Sequence, residues 1–472
     1  MKLYLTKAIA ILFVIALATT SMSLSVKAQG LSILRDAETE AFLRRIGTPI
    51  FQAARLTPEN INIYLVNDKS INAFVTGGQN IFFHSGLLMR MDNVDELFGV
   101  MAHETGHISG GHSVRTREAF GKASGYSIAS MVLGVAAILA GSADAGIAAM
   151  MAGQQMTMGS MLTYSRNQEA TTDQAGASYL EKNNISGKGL ITFFKKLQEQ
   201  EFIYSANRNP YMRTHPLTQD RISRLEYVVT TSENYNKPPN QDLNNQFLRI
   251  RAKLEGYING PFYTLKKYPL SDQSIPAKYA RIYAYHRALE WDKALAEVED
   301  LIKIEPENPY FYEIKGQVLF ESGKLEEAAA PLKKATKLAP NEALILTAYA
   351  QALLSVEGKD GLIKKNNLQL ALPLLKDATR LDNENTFAWY NLAKVYSALD
   401  DKPKASLATA ERFFSMGALQ QADYHANMAK KEFREGTIDW LRAEDIILIS
   451  QPYLEKMRNS KRRSSRRRVL QE

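Results

Sequence analysis

The stretch Val100-Met101-Ala102-His103-Glu104-Thr105-Gly106-His107 sets two histidines four residues apart inside an apolar run. On a helix that spacing puts both imidazoles on one face, near enough to share a zinc ion. Glu104, between them, is then placed to take a proton from a water at that ion. The competing reading is a pair of helix-surface histidines with no metal. Zinc needs a third protein ligand, so the metal reading demands a fold that brings a sequence-distant acid or imidazole against this helix.

The chain has no cysteine, which removes disulfides, thiolate ligands and a lipidated anchor cysteine, and leaves histidine and carboxylate as zinc ligands. Lys2 and Lys7 precede an apolar core, Ala8 to Ala18, and Val26-Lys27-Ala28 has small residues at the positions of a cleavage site. Residues 1–28 therefore read as a signal peptide, because the apolar core is shorter than the ~20 residues of a spanning helix. Export of a cysteine-free chain points to the periplasm. Of the formal charge of +8, three belong to Lys2, Lys7 and Lys27 and six to the net of the tail 457–472, which leaves the body at −1. Nucleic acid is not implied. The basic tail reads as a solvated terminal run or a contact to an acidic or lipid surface, that is, possible peripheral membrane contact.

Residues 230–244, TTSENYNKPPNQDLN, lack apolar periodicity, carry two prolines and read as a linker. Before it, Ile61 to Val66, Ser70 to Val75 and Asn80 to His84 read as three strands, with Thr76-Gly77-Gly78-Gln79 as a turn. A helix follows from Ser85, and another from Asp92 or Asn93 with Asp95 and Glu96 in its first turn. Gly99, Gly106 and Gly110 on or near that second helix suggest close approach by another backbone.

His112 is a tempting third ligand, but if the helix continues it has turned ~900° from His103 and faces away. Glu118 shares the face and sits ~16 Å from His107. Glu169 fits better. Ser165 to Leu180 reads as a helix on which Glu169 and Asp173 share a face, so that Glu169 can bind the metal while Asp173 fixes the tautomer of a ligating histidine. An exposed acidic helix face is the alternative.

These residues resemble peptidase family forty-eight: H-E-x-x-H, then Ser165, Arg166, Glu169, Asp173 and Gly176 in S-R-x-x-E-x-x-x-D-x-x-G, then Thr214-His215-Pro216-Leu217 and Arg221-Ile222. Asn72-Ala73-Phe74 and Gly86-Leu87-Leu88 fit as well, and the likeness covers about residues 35 to 230. Thr172 stands where the family often has alanine, and Val75-Thr76 where it often has an apolar-proline pair. The family includes membrane CaaX prenyl proteases, heat-shock proteases and secreted relatives. The resemblance implies a zinc metalloendopeptidase over residues 29–229, with His103, His107 and Glu169 on one zinc ion and Glu104 as general base. It places Asp173 behind the ligands. It leaves His215 as a fourth ligand closing the water site, as a catalytic oxyanion donor, or as a loop histidine on Pro216. Arg221 pairs with a carboxylate near the site or makes a structural salt bridge. Asn80, Ile81, Phe82 and Phe83 would be the sheet edge that receives an extended substrate. Ser127 to Met161, apolar and rich in methionine, reads as a helical hairpin over the cleft that is interrupted near Ser142.

After the linker, Glu305-Pro306-Glu307-Asn308 and Ala339-Pro340-Asn341 lie 34 residues apart, as do Gly316 and Ala350. Leu381-Asp382-Asn383 and Ala393 recur 43 residues later, with an insertion near Gly358 to Asn367. This is the tetratricopeptide (TPR) pattern, and residues 245–456 read as an all-α solenoid with a concave binding face. The expected fold class is α+β and mostly helical: a metallopeptidase domain with a small sheet, then the solenoid. A secreted peptidase joined to such repeats resembles periplasmic members of this family, and that resemblance implies assembly and quality control of outer-membrane proteins, with partners among unfolded or partly assembled outer-membrane proteins and their assembly machinery. The alternative is a mainly non-proteolytic chaperone or adaptor whose zinc site His215 blocks.

Overall fold

The computed structural model describes residues 31–139, 143–203, 211, 214–358 and 361–469; the expected signal, residues 1–28, lies outside them. Contacts group the chain into Met1–Ile33 and Leu34–Glu472, and the second unit carries the fold. Its sheet has the order β1-β2-β4-β3, with β1 at Ile33–Leu34, β2 at Asn62–Val66, β3 at Ala73–Thr76 and β4 at Asn80–His84. β4 pairs in parallel with β2 and antiparallel with β3. Asn80, Ile81, Phe82 and Phe83 therefore do not form a sheet edge. Their strand is bonded on both sides, and the border strands are β1 and, next to β4, β3. The hairpin turn at Gly77 and Gly78, both at positive φ, returns β4 between β2 and β3.

Helix α1 (Ala37–Ala53) and the short α2 (Ser85–Arg90) precede α3 (Val94–Ser109), which carries His103, Glu104 and His107. The Asn93 side chain caps α3 by accepting from Glu96 N, and Glu96 returns a bond from the Asp92 backbone. Nearly every residue of α3 from Val94 to Ile108 is buried, so the helix is the spine of the domain. Its glycines mark close backbone contacts. A Cβ on Gly99 would stand 2.7 Å from Leu190 Cα, and one on Gly106 would stand 3.1 Å from Thr172 O. Leu190 belongs to α6 (Lys188–Ile203) and Thr172 to α5 (Ala143–Lys182).

The segment expected to begin a helix at Ser165 lies instead deep inside α5, a 40-residue helix. With α4 (His112–Leu139) it makes a long antiparallel hairpin tied by Ser127 Oγ to Thr157 Oγ1 at 2.8 Å. Ile128, Met131, Val132, Leu133, Met151, Met156 and Met158 are exposed on it. Among the described residues no helix is long and apolar enough to cross a membrane.

Helix α7 (Gln219–Thr230) closes the domain, and α8 (Gln241–Ile258) starts inside the segment read as a linker. Between them the chain is held down: Ser186 Oγ donates to Tyr235 O at 2.7 Å. Phe247, Ile250 and Leu254 of α8 join the same apolar core as α3. After the short α9 (Pro261–Lys267), helix pairs stack: α10 and α11 (Ile275–Arg287, Trp291–Ile304), α12 and α13 (Pro309–Glu321, Leu325–Leu338), α14 and α15 (Ala343–Leu354, Lys365–Leu381), α16 and α17 (Thr386–Ala398, Lys402–Ser415), and α18 and α19 (Leu419–Glu432, Ile438–Val469). The insertion after α14 closes with a bridge between Glu357 and Ile363. The basic tail from 457 is helical as far as Val469, as a continuation of α19.

The repeats hold the start of the peptidase half. Buried Glu38 on α1 accepts from Arg249 Nε at 2.7 Å and from Tyr279 OH at 2.7 Å, and lies 3.4 Å from Lys253 Nζ. Lys253 also pairs with Asp36. Ala37 packs with Ala335 and Ile345, Arg35 bonds Asp382 at 2.6 Å, and Tyr64 OH donates to Glu384 at 2.9 Å.

Candidate metal centre

His103, His107, Glu169 and His215 converge, each offering a ligand atom within 4.8 Å of the others, and all four are buried or nearly so. Three elements supply them: α3 gives both early histidines at one-turn spacing, α5 gives Glu169 one turn before Asp173, and the loop before α7 gives His215. His103 Nε2 is 3.2 Å from His107 Nε2 and 3.4 Å from Glu169 Oε2, and His107 Nε2 is 3.4 Å from Glu169 Oε1. His215 Nδ1 is 3.2 Å from His103 Nε2 and 3.3 Å from Glu169 Oε2.

The outer atoms of the rings fix which nitrogens face inward. Against the effect of burial, Asp173 and Glu169 hold His103 up at about 9; its Nδ1–H donates to Asp173 Oδ1 at 3.0 Å, so Nε2 is the nitrogen that faces the cluster. His215 Nε2–H donates to the Ala73 carbonyl at 3.2 Å, which leaves Nδ1 bare. His107 Nδ1 lies 3.0 Å from His112 Nδ1, and His112 Nδ1 is 3.2 Å from Thr172 Oγ1. Ring nitrogens and a carboxylate thus face one another inside a buried space, an arrangement that a bound cation stabilises further, beside the Arg221 guanidinium that already reaches Glu169 Oε2. Ligands held tetrahedrally at ~2.0–2.1 Å from zinc stand ~3.3–3.4 Å apart, close to the separations found here. The donor set of imidazole nitrogen and carboxylate oxygen without thiolate fits zinc.

Glu104 lies beside the cluster, fully buried, and neither carboxylate oxygen has a hydrogen-bond partner among the described residues. His215 Nε2 is 3.5 Å from its Oε1. Burial pushes the Glu104 carboxyl above its ordinary pKa, offset in part by His215 and His103. Burial, with His103 and His215 alongside, holds His107 well below the usual imidazole range, which favours the unprotonated ring that a metal ligand needs.

Arg221 is buried and points into the site from α7. Its Nε donates to Asp173 Oδ2 and its Nη2 to Asp173 Oδ1, both at 2.8 Å, while Nη1 donates to Pro216 O at 2.8 Å and stands 3.0 Å from Glu169 Oε2. One guanidinium therefore ties the acid behind His103, the candidate ligand Glu169 and the backbone beside His215 into a single network. The strand backbone bonded to this cluster is β3, through Ala73 O.

Two neighbours escaped the sequence reading. The first is His112, which was expected to face away on a continued helix. Helix α3 stops at Ser109, Gly111 adopts φ +63°, and the chain turns so that His112 begins α4 with its ring against His107. The Gly110-Gly111 pair is the signal that marks the stop. The second is Tyr211, whose ring stacks on His215 at 4.7 Å; no local pattern announces it.

Comparison with known proteins agrees with this geometry. Residues 37–229 match the sequence profile of peptidase family M48, and residues 279–343 match a tetratricopeptide repeat. The beta-barrel assembly-enhancing protease of Escherichia coli K12 is 24% identical over 420 residues, covering 87% of this chain and 82% of that protein. The protein of the same name from Yersinia pestis is 23% identical over 421 residues, covering 87% and 83%. The metalloprotease YcaL of Escherichia coli K12 is 30% identical over 181 residues, 38% of this chain and 65% of that one. The chain is a metalloendopeptidase built from a peptidase family M48 domain followed by tetratricopeptide repeats.

Proposed function

We propose that this chain is a periplasmic zinc endopeptidase whose repeats present outer-membrane proteins, misfolded or stalled in assembly, to a site formed by His103, His107 and Glu169. The observation that carries the reading is the buried Glu104 carboxyl, without a hydrogen-bond partner among the described residues, beside His103, His107 and Glu169. Bound zinc supplies Lewis acidity, polarising a peptide carbonyl and lowering the pKa of water. Glu104 accepts the proton of the attacking water and returns it to the leaving amine, a role suited to a carboxyl raised by burial. Asp173 holds His103 in the tautomer that ligates, His112 does so for His107, and Arg221 holds the Asp173 carboxylate in place with two hydrogen bonds. An extended client pairs along β3, the bordering strand whose Ala73 carbonyl lies beside His215. The exposed methionines of the α4–α5 hairpin give an adaptable apolar surface for unfolded chains. The name of the full-length relatives, beta-barrel assembly-enhancing protease, supports this client class.

A second reading is favoured by one observation: His215 Nδ1 stands among the ligands, where it closes the fourth position. In that state the chain holds clients without cutting them. Casein hydrolysis separates the readings. Glu104→Gln retains zinc and abolishes cleavage, and full activity of a clean preparation would falsify Glu104 as the base. His215→Ala raises cleavage severalfold if the histidine blocks the site and lowers it if the histidine serves turnover.

A further inference from the structure

The last helix, α19, has two apolar faces. Ala443, Ile446, Ser450 and Leu454, spaced at one-turn intervals, are buried toward the preceding repeat. Leu441, Leu448, Ile449 and Tyr453 are 49–60% exposed, interleaved with exposed Arg442, Asp445, Glu455 and Lys456, and no other described element covers them. In a repeat array the outer face of one unit is covered by the next, or capped by polar residues. Here no described unit follows, and the outer face mixes these apolar side chains with charged ones. An open groove between α18 and α19 is lined by Tyr424, Met428, Leu454 and Met457 together with polar Gln420 and Asn427, acidic Asp423 and basic Lys431 and Arg458.

α19 then outruns its partner. Gln451 bonds Asp423 at 2.9 Å, close to the start of α18, so the residues beyond Arg458 continue past the end of that helix for ~16 Å at helical rise. This overhang carries Lys461, Arg462, Arg463, Arg466, Arg467 and Arg468 and no acid before Glu472, whereas the body of the protein is close to neutral. The cations come in runs of three consecutive positions, and consecutive positions on a helix are ~100° apart, so they belong to no single face. A protein partner with one complementary patch would satisfy few of them. A layer of anionic headgroups surrounds such a rod on all sides and accepts the neighbouring apolar side chains below it.

We propose that α19 docks the protein on an anionic phospholipid surface, with Arg458 to Arg468 among the headgroups and Leu448, Ile449 and Tyr453 at their base. The contact is peripheral and salt-sensitive, and it requires no spanning segment.

Co-sedimentation of the full chain from residue 29 with vesicles tests this. The chain sediments with vesicles of phosphatidylglycerol and phosphatidylcholine but not with phosphatidylcholine alone, and ~0.5 M salt releases it. The combined variant Arg462→Gln, Arg463→Gln, Arg466→Gln, Arg467→Gln binds roughly a thousandfold more weakly while hydrolysing casein at the parent rate. Leu448→Ser with Ile449→Ser, both at exposed positions, weakens binding severalfold. The proposal is overturned if the parent does not sediment with anionic vesicles, if it binds both vesicle types equally, or if the four-glutamine variant binds like the parent. It is also overturned if soluble polyglutamate captures the parent while anionic vesicles do not, since the tail's partner is then an acidic polypeptide.

Discussion

Replacing Asp173 with alanine tests the coupling between ligand geometry and the buried charge network. Asp173 is 3% exposed, fixes His103 through Nδ1 at 3.0 Å, and takes two bonds from Arg221 at 2.8 Å. Two separate losses follow. The His103 ring is no longer held in one tautomer and orientation, which for a partner behind a metal ligand weakens zinc binding about 10–100-fold, or ~1.4–2.7 kcal/mol. Arg221, itself 3% exposed, keeps Pro216 O and Glu169 but loses its bidentate acid, and removal of one partner of a buried pair costs ~3–5 kcal/mol. The two terms are read by different assays. Zinc affinity comes from chelator competition at a temperature where the variant is folded, and the charge term from urea unfolding of the chelator-treated protein. Asp173→Asn keeps an acceptor for His103, so it recovers most of the zinc affinity but little of the stability. If Asp173→Ala binds zinc within threefold of the parent and unfolds within 1 kcal/mol of it, the network argument is wrong.

Further expectations concern the surroundings. His112→Ala removes the partner of His107 Nδ1 and weakens zinc about tenfold by chelator competition, with little change in unfolding of the metal-free chain. Glu38→Ala leaves Arg249, Lys253 and Tyr279 without their shared acceptor and destabilises by ~3–5 kcal/mol; calorimetry shows the single transition of the parent separating into two. Burial, with Asp36, Glu38 and Glu342 nearby and Lys253 in opposition, pushes Glu313 up to about 8. A carboxyl raised in the folded state contributes stability below its unfolded pKa and loses it as pH rises through the folded value, here between about 4.5 and 8. Because the side chain is only half-buried, the expected difference is modest: Glu313→Gln gains ~1–2 kcal/mol over the parent at pH 8.5 and nothing at pH 4.5, by urea titration at both.

Local periodicity carried much of this into view. The four-residue spacings of His103 with His107 and of Glu169 with Asp173 survive folding because both pairs sit on regular helices, and the Asn93 cap and the 34-residue repeat are equally local. What the sequence hid depends on neighbours it does not encode. Alternation in Asn80–His84 identifies a strand, but not that β2 and β3 flank it. The turn at Gly111 reverses the geometry assumed for His112, because one left-handed residue ends a helix that a rise-per-residue argument continues. Ser165 resembles a helix start, yet packing of α5 against α4 carries the helix through it. Glu38 meets Arg249 and Tyr279 across 211 and 241 residues, a clasp with no local signature.

The central claim is that one remote carboxylate completes the metal site begun by two histidines on α3. Zinc content of Glu169→Ala, measured by elemental analysis on folded protein beside the parent, addresses it most directly. The account predicts one zinc per chain in the parent and a small fraction of that in the variant. A variant that keeps the parent's full zinc content would contradict it.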